Sequence, residues 1–404
     1  MNKVTVKDIN FRNRKVLVRV DFNVPLDENQ KITDDRRIRE ALPTIQKILK
    51  DGGIVIACSH LGRPKGQPIP AMSLRPCAVR LAELLGQEVL FTEDCVGPEA
   101  SNGVAKMTEG SCVLLENLRF HKEETENDPV FAKKLAGLAD IFVNDAFGTA
   151  HRAHASTEGV TKYFNQSVAG FLIQKELDFI GTALASPQRP FAAILGGAKI
   201  SGKIDVITNL IDKVDMLFIG GGMVFTFAKA MGYNIGDSLL EEDKVPLAAE
   251  IIEKIKQTDV KLFFPVDAVI ARTISDDAEI SVVDIDKIPD GMKGLDIGPK
   301  TIALFEEAMK EAKTVVWNGP MGVFESKPFA KGTMAIATLL TKLTSKGATT
   351  IVGGGDSAAA VSQMGLDDKL SHISTGGGAS LEFMEGKILP GIAALTNQSK
   401  AGVV

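Results

Sequence analysis

Residues 191–222, FAAILGGAKISGKIDVITNLIDKVDMLFIGGG, contain the clearest indication of the fold. An apolar run ends there in two glycines, a helical pattern follows, and a second apolar run ends in three glycines. Strands that are apolar on both faces and alternate with helices are typical of a parallel sheet covered by helices on both sides. The stretch therefore predicts a strand–helix–strand unit with glycine turns at the ligand-binding edge of the sheet.

The same alternation of apolar runs and helical patterns extends over the rest of the chain. Further strands are predicted at KVLVRV (15–20), GIVIACS (53–59), SCVLLEN (111–117), DIFVNDAF (140–147), KTVVWNG (313–319), TTIVGGG (349–355) and SHISTGG (371–377). We therefore expect an α/β protein with two doubly wound, Rossmann-like parallel-sheet domains, joined by a connecting helix and a hinge.

The domain boundaries follow from a helical segment in the middle of the chain. FLIQKELDFIGTALA (171–185) has apolar residues at helical spacing and stops at Ser186-Pro187. We expect an N-terminal domain over 1–170, a connecting helix over 171–185, a C-terminal domain over 186–388 and a closing segment over 389–404.

The composition narrows the classes of function. The 404 residues are 45% hydrophobic and 24% charged, with a net charge of −5, which argues against a nucleic-acid or anionic-membrane binder. Neither a signal-peptide-length apolar run at the N-terminus nor a membrane-spanning stretch is predicted. The four cysteines form no CxxC pair and fit a reducing compartment, so we expect a cytoplasmic protein.

Arginine and glycine are segregated along the chain. Apart from Arg189 and Arg272, every arginine lies at or before Arg152, whereas all three glycine triplets lie in the second half. Guanidinium groups hold phosphate by charge, and glycine turns at helix starts hold it by backbone N–H groups. The division predicts two anion sites, one in each domain, and suggests phosphoryl transfer across a cleft.

In the first half, Arg19, Arg37, Arg63, Arg119 and Arg152 are the candidates for an anion site, with His60 and His151 beside two of them. Each arginine follows an apparent strand or starts a helix, and such positions converge on one edge of a parallel sheet. The acidic loop EETEND (123–128) is interpreted as solvated surface without a function.

In the second half, residues 197–203 fit the GxxxxGK pattern of a phosphate-binding loop. The next residue is Ile204 where a Ser or Thr would hold Mg²⁺, so a true Walker loop is disfavoured. Lys199 and Lys203 remain well placed for phosphates. Each glycine triplet follows an apolar strand and precedes a helix, and Asp356 behind the second triplet is either a helix N-cap or a Mg²⁺ ligand.

Longer blocks carry a family resemblance: VRVDFNVP (18–25), SHLGRP (59–64), LLENLRF (114–120), NDAFGTAHRAHAS (144–156), LGGAKISGK (195–203), WNGPMGVFE (317–325), GGGDS (353–357), STGGGASLE (374–382) and LPGIAAL (389–395). Together, and in this order, they resemble the phosphoglycerate kinases over essentially the whole chain. The resemblance implies reversible phosphoryl transfer between 1,3-bisphosphoglycerate and ADP by a two-lobed enzyme. The segment 389–404 would return to the N-terminal domain.

The resemblance also implies which residues bind each substrate. Glycerate would contact Asp21, Asn23, Arg37, His60, Leu61, Gly62, Arg63, Arg119 and Arg152. The nucleotide would contact Lys203, Gly220, Gly221, Gly294, Asn318, Glu325, Gly354, Gly355, Asp356 and Ser357, with Asp356 as the Mg²⁺ ligand. Arg37, Lys199 and the amides of Gly355 and Gly378 would stabilise the transferring phosphoryl group when the lobes close. Only small-molecule partners are expected, with a monomeric enzyme and no nucleic acid or membrane.

Two other classes of protein share parts of this pattern. A NAD-dependent dehydrogenase also has two α/β domains, but the chain contains no GxGxxG and that class needs no second phosphate site. A non-catalytic two-lobed binding protein closes on an anion without chemistry. Against it stand the missing signal peptide and the lysine pair at 199 and 203.

Overall fold

The computed structural model describes residues 2–398. Within them the chain divides into two compact units. Unit 1 comprises residues 2–178 and 388–398, and unit 2 comprises residues 179–387. Residues 399–404 of the predicted closing segment lie outside the described residues.

Unit 1 is built on a six-stranded sheet in which all neighbouring strands are parallel, in the order β3-β4-β2-β1-β5-β6. Its strands are β1 (Lys15–Arg19), β2 (Ile54–Cys58), β3 (Val89–Phe91), β4 (Cys112–Leu114), β5 (Ile141–Asn144) and β6 (Ser167–Ala169). The central strands are buried on both faces, as their continuous apolar runs predict.

Helices cover this sheet. They are α1 (Arg36–Lys50), α2 (Arg75–Leu85), α3 (Gly97–Ala105), α4 (Lys122–Thr125), α5 (Pro129–Ala136) and α6 (Phe171–Glu176). Local signals set several ends: Asp128 caps α5 by accepting the Phe131 N–H at 2.7 Å, and α2 stops at Gly86 in the left-handed conformation. The apolar faces of α1 and α2 contribute Ile38, Ile45 and Leu81 to the core.

The predicted connecting helix is helical throughout but not uniform. After α6, residues Leu177–Gly181 form a π-helical turn, and α7 (Thr182–Ala185) continues to Ser186. The division between the two units falls inside this π-helical turn, at 178/179. A π turn in a helix is a local departure that sequence periodicity does not reveal.

Unit 2 contains a second six-stranded parallel sheet, in the order β10-β8-β7-β15-β16-β17. Its strands are β7 (Phe191–Leu195), β8 (Met216–Ile219), β10 (Lys261–Phe263), β15 (Thr314–Asn318), β16 (Thr349–Gly353) and β17 (His372–Ile373). The helices of unit 2 after α7 are α8 (Ile204–Ile211), α9 (Val224–Ala230), α10 (Val245–Lys256), α11 (Pro299–Met309), α12 (Lys331–Ser345), α13 (Gly355–Gln363) and α14 (Gly378–Met384). The predicted fold class, two doubly wound parallel sheets, is confirmed.

Two smaller sheets in unit 2 were not predicted. β11 (Asp267–Ala271) pairs antiparallel with β12 (Ser281–Asp284) and β14 (Lys293–Ile297). β9 (Asn234–Ile235) pairs with β13 (Lys287–Ile288). Because β12 is partly exposed and β9 and β13 have two residues each, these three strands lack the long apolar runs that mark the central strands.

The C-terminal segment of unit 1 contacts the end of β5 and the N-terminal residues of the same unit. It forms α15 (Pro390–Ala393) after Leu389. The Asn144 side-chain amide donates to the Gly391 carbonyl at 3.2 Å, and the Lys3 ammonium donates to the Leu395 carbonyl at 2.8 Å. Among residues 2–398, no helix combines the length and the apolar character that crossing a membrane requires.

Candidate active site

One edge of the unit 1 sheet collects the residues predicted to bind glycerate. Strand register places Arg19, the last residue of β1, beside Cys58 of β2 and Asn144 of β5. The segments that follow these parallel strands therefore lie side by side. Each predicted glycerate residue follows β1, β2, β4 or β5, except Arg37, which lies in the first turn of α1.

The loop after β2 is held in place by its neighbours. The Gly62 N–H donates to Asn23 Oδ1 at 2.8 Å, and the Gly62 carbonyl accepts from Arg119 Nη1 at 2.8 Å. The Asn117 amide donates to the Leu61 carbonyl at 2.8 Å. Gly62 has a φ of 65°, which other residues rarely adopt. These bonds connect three strand ends, so Asn23, Leu61, Gly62 and Arg119 are brought together.

The Arg119 guanidinium has N–H groups that donate to no atom of the described residues. It is 6% exposed, and its Nε and Nη2 have no hydrogen-bond partner among the described residues. Burial, followed by the charges of Arg19 and Arg152, lowers the pKa of Arg119 to about 10. Buried N–H groups normally find a partner, and two open donors on one guanidinium fit the binding of an anion.

A cavity of about 410 Å³ opens at this arginine. It is lined by Arg63, Lys65, Gly66, Arg119, Thr125, Arg152 and His154. None of these side chains is a carboxylate, so the cavity has a strongly positive lining. The sequence analysis missed Lys65 and His154, although both stand within or next to the quoted motifs. Burial and nearby cations, Arg119 first, lower the pKa of His154 to about 4.

Asp21, Arg37 and His60 form a second group at the same edge, and none of them lines this cavity. Arg37 Nη1 donates to Asp21 Oδ2, and Asp21 Oδ1 lies 4.0 Å from His60 Nδ1. His60 is 4% exposed. Burial and then the charges of four arginines lower its pKa well below the usual histidine value, so the imidazole is neutral at physiological pH.

Two expectations for this edge are wrong. Arg19 is fully buried and lines no part of the cavity, because its guanidinium is used within the protein. Glu124, in the acidic loop interpreted as solvated surface, is also fully buried. Both Ser156 groups, the N–H at 2.9 Å and the hydroxyl at 2.6 Å, donate to its carboxylate. The solvated interpretation holds for Thr125 and Glu126, which are exposed.

Unit 2 has a cavity of about 440 Å³ at the glycine-rich edge of its sheet. Four predicted nucleotide residues line it: Gly221, Gly294, Glu325 and Asp356. Much of the remaining wall is apolar and was missed by the sequence analysis, including Phe225, Leu239, Pro265, Ile285 and Val323. A side chain at Gly294 would collide with the Phe225 ring. An apolar wall with a few polar groups is the usual form of a nucleotide-sized pocket.

Lys203 and Asn318 meet next to this cavity. Lys203 Nζ donates to Asn318 Oδ1, which leaves Asn318 Nδ2 buried and without a partner in the described chain. Burial lowers the pKa of Lys203 to about 8, against the opposing charges of Glu385 and Asp356. A partly buried lysine without an ion pair gains stabilisation when an anion binds beside it.

The glycine turns differ in what surrounds them. Gly221 has a φ of 69°, and a side chain there would collide with the Gly197 backbone, so close packing explains this glycine. At Gly355, in contrast, a Cβ would meet nothing within 4 Å. Gly354 before it has a φ of 87°, and Gly355 begins α13. Open space at a helix start favours the interpretation that an anion approaches the backbone there.

Asp356 is not an N-cap, so that alternative is wrong. Gly354 occupies the cap position of α13, and Asp356 lies exposed in the first turn without a capping bond. Ser357 behind it is buried, and its hydroxyl accepts the Gly319 N–H at 2.7 Å. Lys199 is exposed just before α8, and Gly378 begins α14. Lys199, Gly220, Gly354, Gly355, Ser357 and Gly378 do not line the cavity.

Comparisons with known proteins agree with this arrangement. The sequence model of the family "Phosphoglycerate kinase" matches residues 6–387. A phosphoglycerate kinase of Chloroherpeton thalassium is 62% identical over 397 residues, covering 98% of this chain and 100% of the relative. A cytosolic phosphoglycerate kinase of Triticum aestivum is 59% identical over 391 residues, covering 97% of each chain.

Solved structures give the same result. The phosphoglycerate kinase of Coxiella burnetii superposes with a TM-score of 0.88 at 44% identity, covering 97% of this chain and 98% of the other. The enzyme of Pyrococcus horikoshii has a TM-score of 0.83 at 31% identity, with the same coverage. The two arginine- and glycine-lined edges, and these matches over nearly the full length, show that the chain belongs to the phosphoglycerate kinase family.

Proposed function

We propose that this kinase binds its glycerate substrate at the arginine-lined edge of unit 1. The proposed contacts are Asp21, Asn23, Arg37, His60, Leu61, Gly62, Arg63, Arg119 and Arg152. The observation that carries the proposal is the pair of open N–H donors on buried Arg119, in a cavity whose lining has no carboxylate. Guanidinium groups without counter-ions suit a small, multiply charged anion.

An Arg119→Met variant tests this assignment. Methionine fills similar space without N–H groups, so the affinity for 3-phosphoglycerate should fall by at least about tenfold, the loss of a charge-assisted hydrogen bond. Arg75→Met is the matched control, since Arg75 is exposed and paired with Glu93. Calorimetric titration measures both variants. Unchanged affinity in Arg119→Met would remove Arg119 from the site.

The nucleotide occupies unit 2 in this proposal. The base and ribose lie against the apolar wall that contains Phe225, and the phosphates extend towards Lys203 and the glycine turns. The proposed contacts are Lys203, Gly220, Gly221, Gly294, Asn318, Glu325, Gly354, Gly355, Asp356 and Ser357. The unpartnered Asn318 amide and the lowered Lys203 pKa support a place for phosphate here.

Asp356 is the proposed protein ligand of Mg²⁺. Its carboxylate is exposed at the cavity and has no capping role to fulfil, so it fits a hard cation that prefers oxygen. The one cluster of three candidate metal ligands found in residues 2–398 lies elsewhere, at Asp94, Cys95 and His121. A single carboxylate is typical of Mg²⁺ that arrives with nucleotide phosphates, where it neutralises their charge.

The family's reaction suits this set of residues. Phosphoglycerate kinases transfer a phosphoryl group between 1,3-bisphosphoglycerate and ADP, forming 3-phosphoglycerate and ATP in glycolysis, and this chain is such a phosphotransferase. When ATP is the donor, the attacking group is a carboxylate, which is already ionised at neutral pH. No general base is needed, and catalysis consists of positioning and charge stabilisation.

Groups from both units would stabilise the transferring phosphoryl group. They are Arg37 of unit 1, and Lys199 with the backbone amides of Gly355 and Gly378 of unit 2. Because each substrate binds a different unit, the proposal includes a closure that excludes water from the reactive acyl phosphate. The hinge is proposed at 171–185 and near Gly386–Gly391. We further propose that the enzyme acts as a monomer in the cytoplasm, without nucleic-acid or membrane partners.

A further inference from the structure

A buried chain of polar groups lies behind the arginine-lined edge of unit 1. Its centre is Arg19, which is fully buried at the end of β1. Arg19 Nε donates to the Ser156 hydroxyl at 2.8 Å, and Nη1 donates to the Val20 carbonyl. Arg19 Nη2 lies 3.2 Å from Nδ1 of His60. All three nitrogens of the guanidinium therefore have hydrogen-bond partners within the protein.

Ser156 connects this guanidinium to a buried carboxylate. Its hydroxyl lies 2.6 Å from Glu124 Oε1, and its backbone N–H donates to Glu124 Oε2 at 2.9 Å. Glu124 is 0% exposed. A buried carboxylate is costly unless it is hydrogen-bonded and balanced by a cation, and this chain of bonds supplies both.

The donor and acceptor chemistry fixes the protons along this chain. A guanidinium can only donate, and an ionised carboxylate can only accept. The Ser156 hydroxyl must therefore accept from Arg19 and donate to Glu124. By the same rule, His60 Nδ1 can only accept from Arg19 Nη2. A neutral imidazole has one N–H, so the proton of His60 lies on Nε2.

The other charged groups around His60 do not reverse this assignment. Asp21 Oδ1 would favour a proton on Nδ1, but at 4.0 Å from that atom it is beyond hydrogen-bond length. Arg37, Arg119 and Arg152 are cations and oppose a charged imidazole. Arg19 is therefore the group that decides between the two tautomers of His60.

We propose that Glu124, Ser156 and Arg19 are positioning residues that hold His60 as the neutral Nε2–H tautomer, which donates a hydrogen bond to an anionic oxygen of the glycerate substrate. This inference rests on the proposed binding of glycerate at His60. The opposite tautomer would direct a lone pair at the anion and repel it. Three successive hydrogen bonds thus connect the acidic loop to His60, and a fourth would connect His60 to the substrate.

Nitrogen NMR on the full-length enzyme tests the tautomer directly. In protein labelled with ¹⁵N at its five histidines, a His60→Gln variant identifies the His60 signals by their absence. We expect a pyridine-type Nδ1 and a pyrrole-type Nε2 in the wild-type enzyme at neutral pH. A pyrrole-type Nδ1 would overturn the proposal without any further variant.

Ser156→Ala tests the connection to Glu124. Without the hydroxyl, Arg19 loses its tie to the carboxylate, and His60 should populate both tautomers. The affinity for 3-phosphoglycerate should fall by roughly tenfold, with MgADP affinity unchanged. Ser167→Ala is the matched control, because the Ser167 hydroxyl is also buried in unit 1 but has no partner among the described residues. An unchanged tautomer and affinity in Ser156→Ala would overturn the role of Ser156 and Glu124.

Arg19→Lys separates geometry from charge and serves if Ser156→Ala does not fold. Lysine keeps the positive charge but lacks the planar fork that reaches Ser156 and His60 together. We expect the same tautomer mixture and the same loss of glycerate affinity. If His60 populates both tautomers while the affinity for 3-phosphoglycerate is unchanged, the positioning role is supported and glycerate binding at His60 is refuted. An unchanged tautomer would refute the positioning role itself.

Discussion

The two units have candidate anion sites at corresponding sheet edges, but the groups that form these sites differ. Unit 1 uses side-chain charge: three arginines and a lysine line one cavity without a carboxylate. The proposed unit 2 site combines glycine turns, helix starts and the partly buried Lys203 beside an apolar wall. In the proposed sites, one α/β architecture would hold phosphate by guanidinium charge in unit 1 and by backbone N–H groups in unit 2.

The two candidate sites also differ in what lowers the pKa values of their basic groups. In unit 1 burial, followed by the clustered cations, lowers the pKa values of Arg119, His60 and His154. In unit 2 burial alone lowers the pKa of Lys203. In unit 1 the clustered cations repel one another, and a bound anion would relieve this repulsion. The proposed unit 2 site includes Lys203, whose pKa of about 8 lies near neutral pH.

The largest expected effect comes from removing the proposed catalytic arginine. Arg37→Ala should lower kcat by about a thousandfold, the scale known for arginines that stabilise a phosphoryl transition state. MgADP affinity should be unchanged, because the proposed nucleotide site is in unit 2. Arg36→Ala, one position earlier in α1, is the control. Steady-state kinetics and calorimetry measure both, and a large loss of MgADP affinity would place Arg37 in the wrong site.

A smaller effect is expected at the metal ligand. Asp356→Asn should lower activity about a hundredfold, equivalent to losing a few kcal/mol of charge stabilisation. Thermal unfolding should be unaffected, because Asp356 makes no capping bond. Asp205→Asn, in the first turn of α8, is a matched control. Near-normal activity of Asp356→Asn at ordinary Mg²⁺ concentration would show that the carboxylate does not hold the metal.

The pH dependence of nucleotide binding sharpens the contrast between the units. Lys203, with a pKa of about 8, is charged at lower pH and neutral at higher pH. Since phosphates favour the charged form, MgADP affinity should fall by up to about tenfold between about pH 7 and pH 9. Lys203→Arg stays charged and should show a flat profile. Calorimetry across this range decides, and an identical slope in both proteins would exclude Lys203 as the cause.

The smallest expected effect is the change in radius of gyration that accompanies the proposed closure of the two units. If the substrates bind different units, the compact state should be most populated when both are bound, because each ligand biases the same equilibrium. Small-angle X-ray scattering of the apo, single-ligand and two-ligand enzyme measures this. A radius of gyration that stays constant in an active sample would contradict the hinge and favour a preformed site.

Sequence reasoning located the strand ends well, because continuous apolar runs determine which segments form parallel strands. It could not determine which way a side chain faces. Arg19 and Arg119 both lie near strand ends, yet only Arg119 lines the cavity. Glu124 looked like part of a solvated loop because its partner, Ser156, is 32 residues away. Burial of a charge depends on such tertiary partners, which local sequence does not encode.

The nucleotide site shows the same limit. The glycine turns and Lys203 were predicted from sequence, but the apolar wall was not, because Phe225 and Leu239 resemble ordinary core residues in a sequence. The N-cap alternative for Asp356 was wrong because the N-cap of α13 is Gly354, two positions earlier, and the helix begins at Gly355. Helix boundaries are the least certain part of any sequence interpretation.

The central claim, one substrate on each unit, is tested most directly by a crystal structure with MgADP and 3-phosphoglycerate bound together. We expect 3-phosphoglycerate to contact Arg119, with Nε2 of His60 within hydrogen-bond distance of one of its oxygens. We also expect the nucleotide base against Phe225 and the metal at Asp356. Either substrate bound to the opposite unit, or both on the same unit, would contradict the claim.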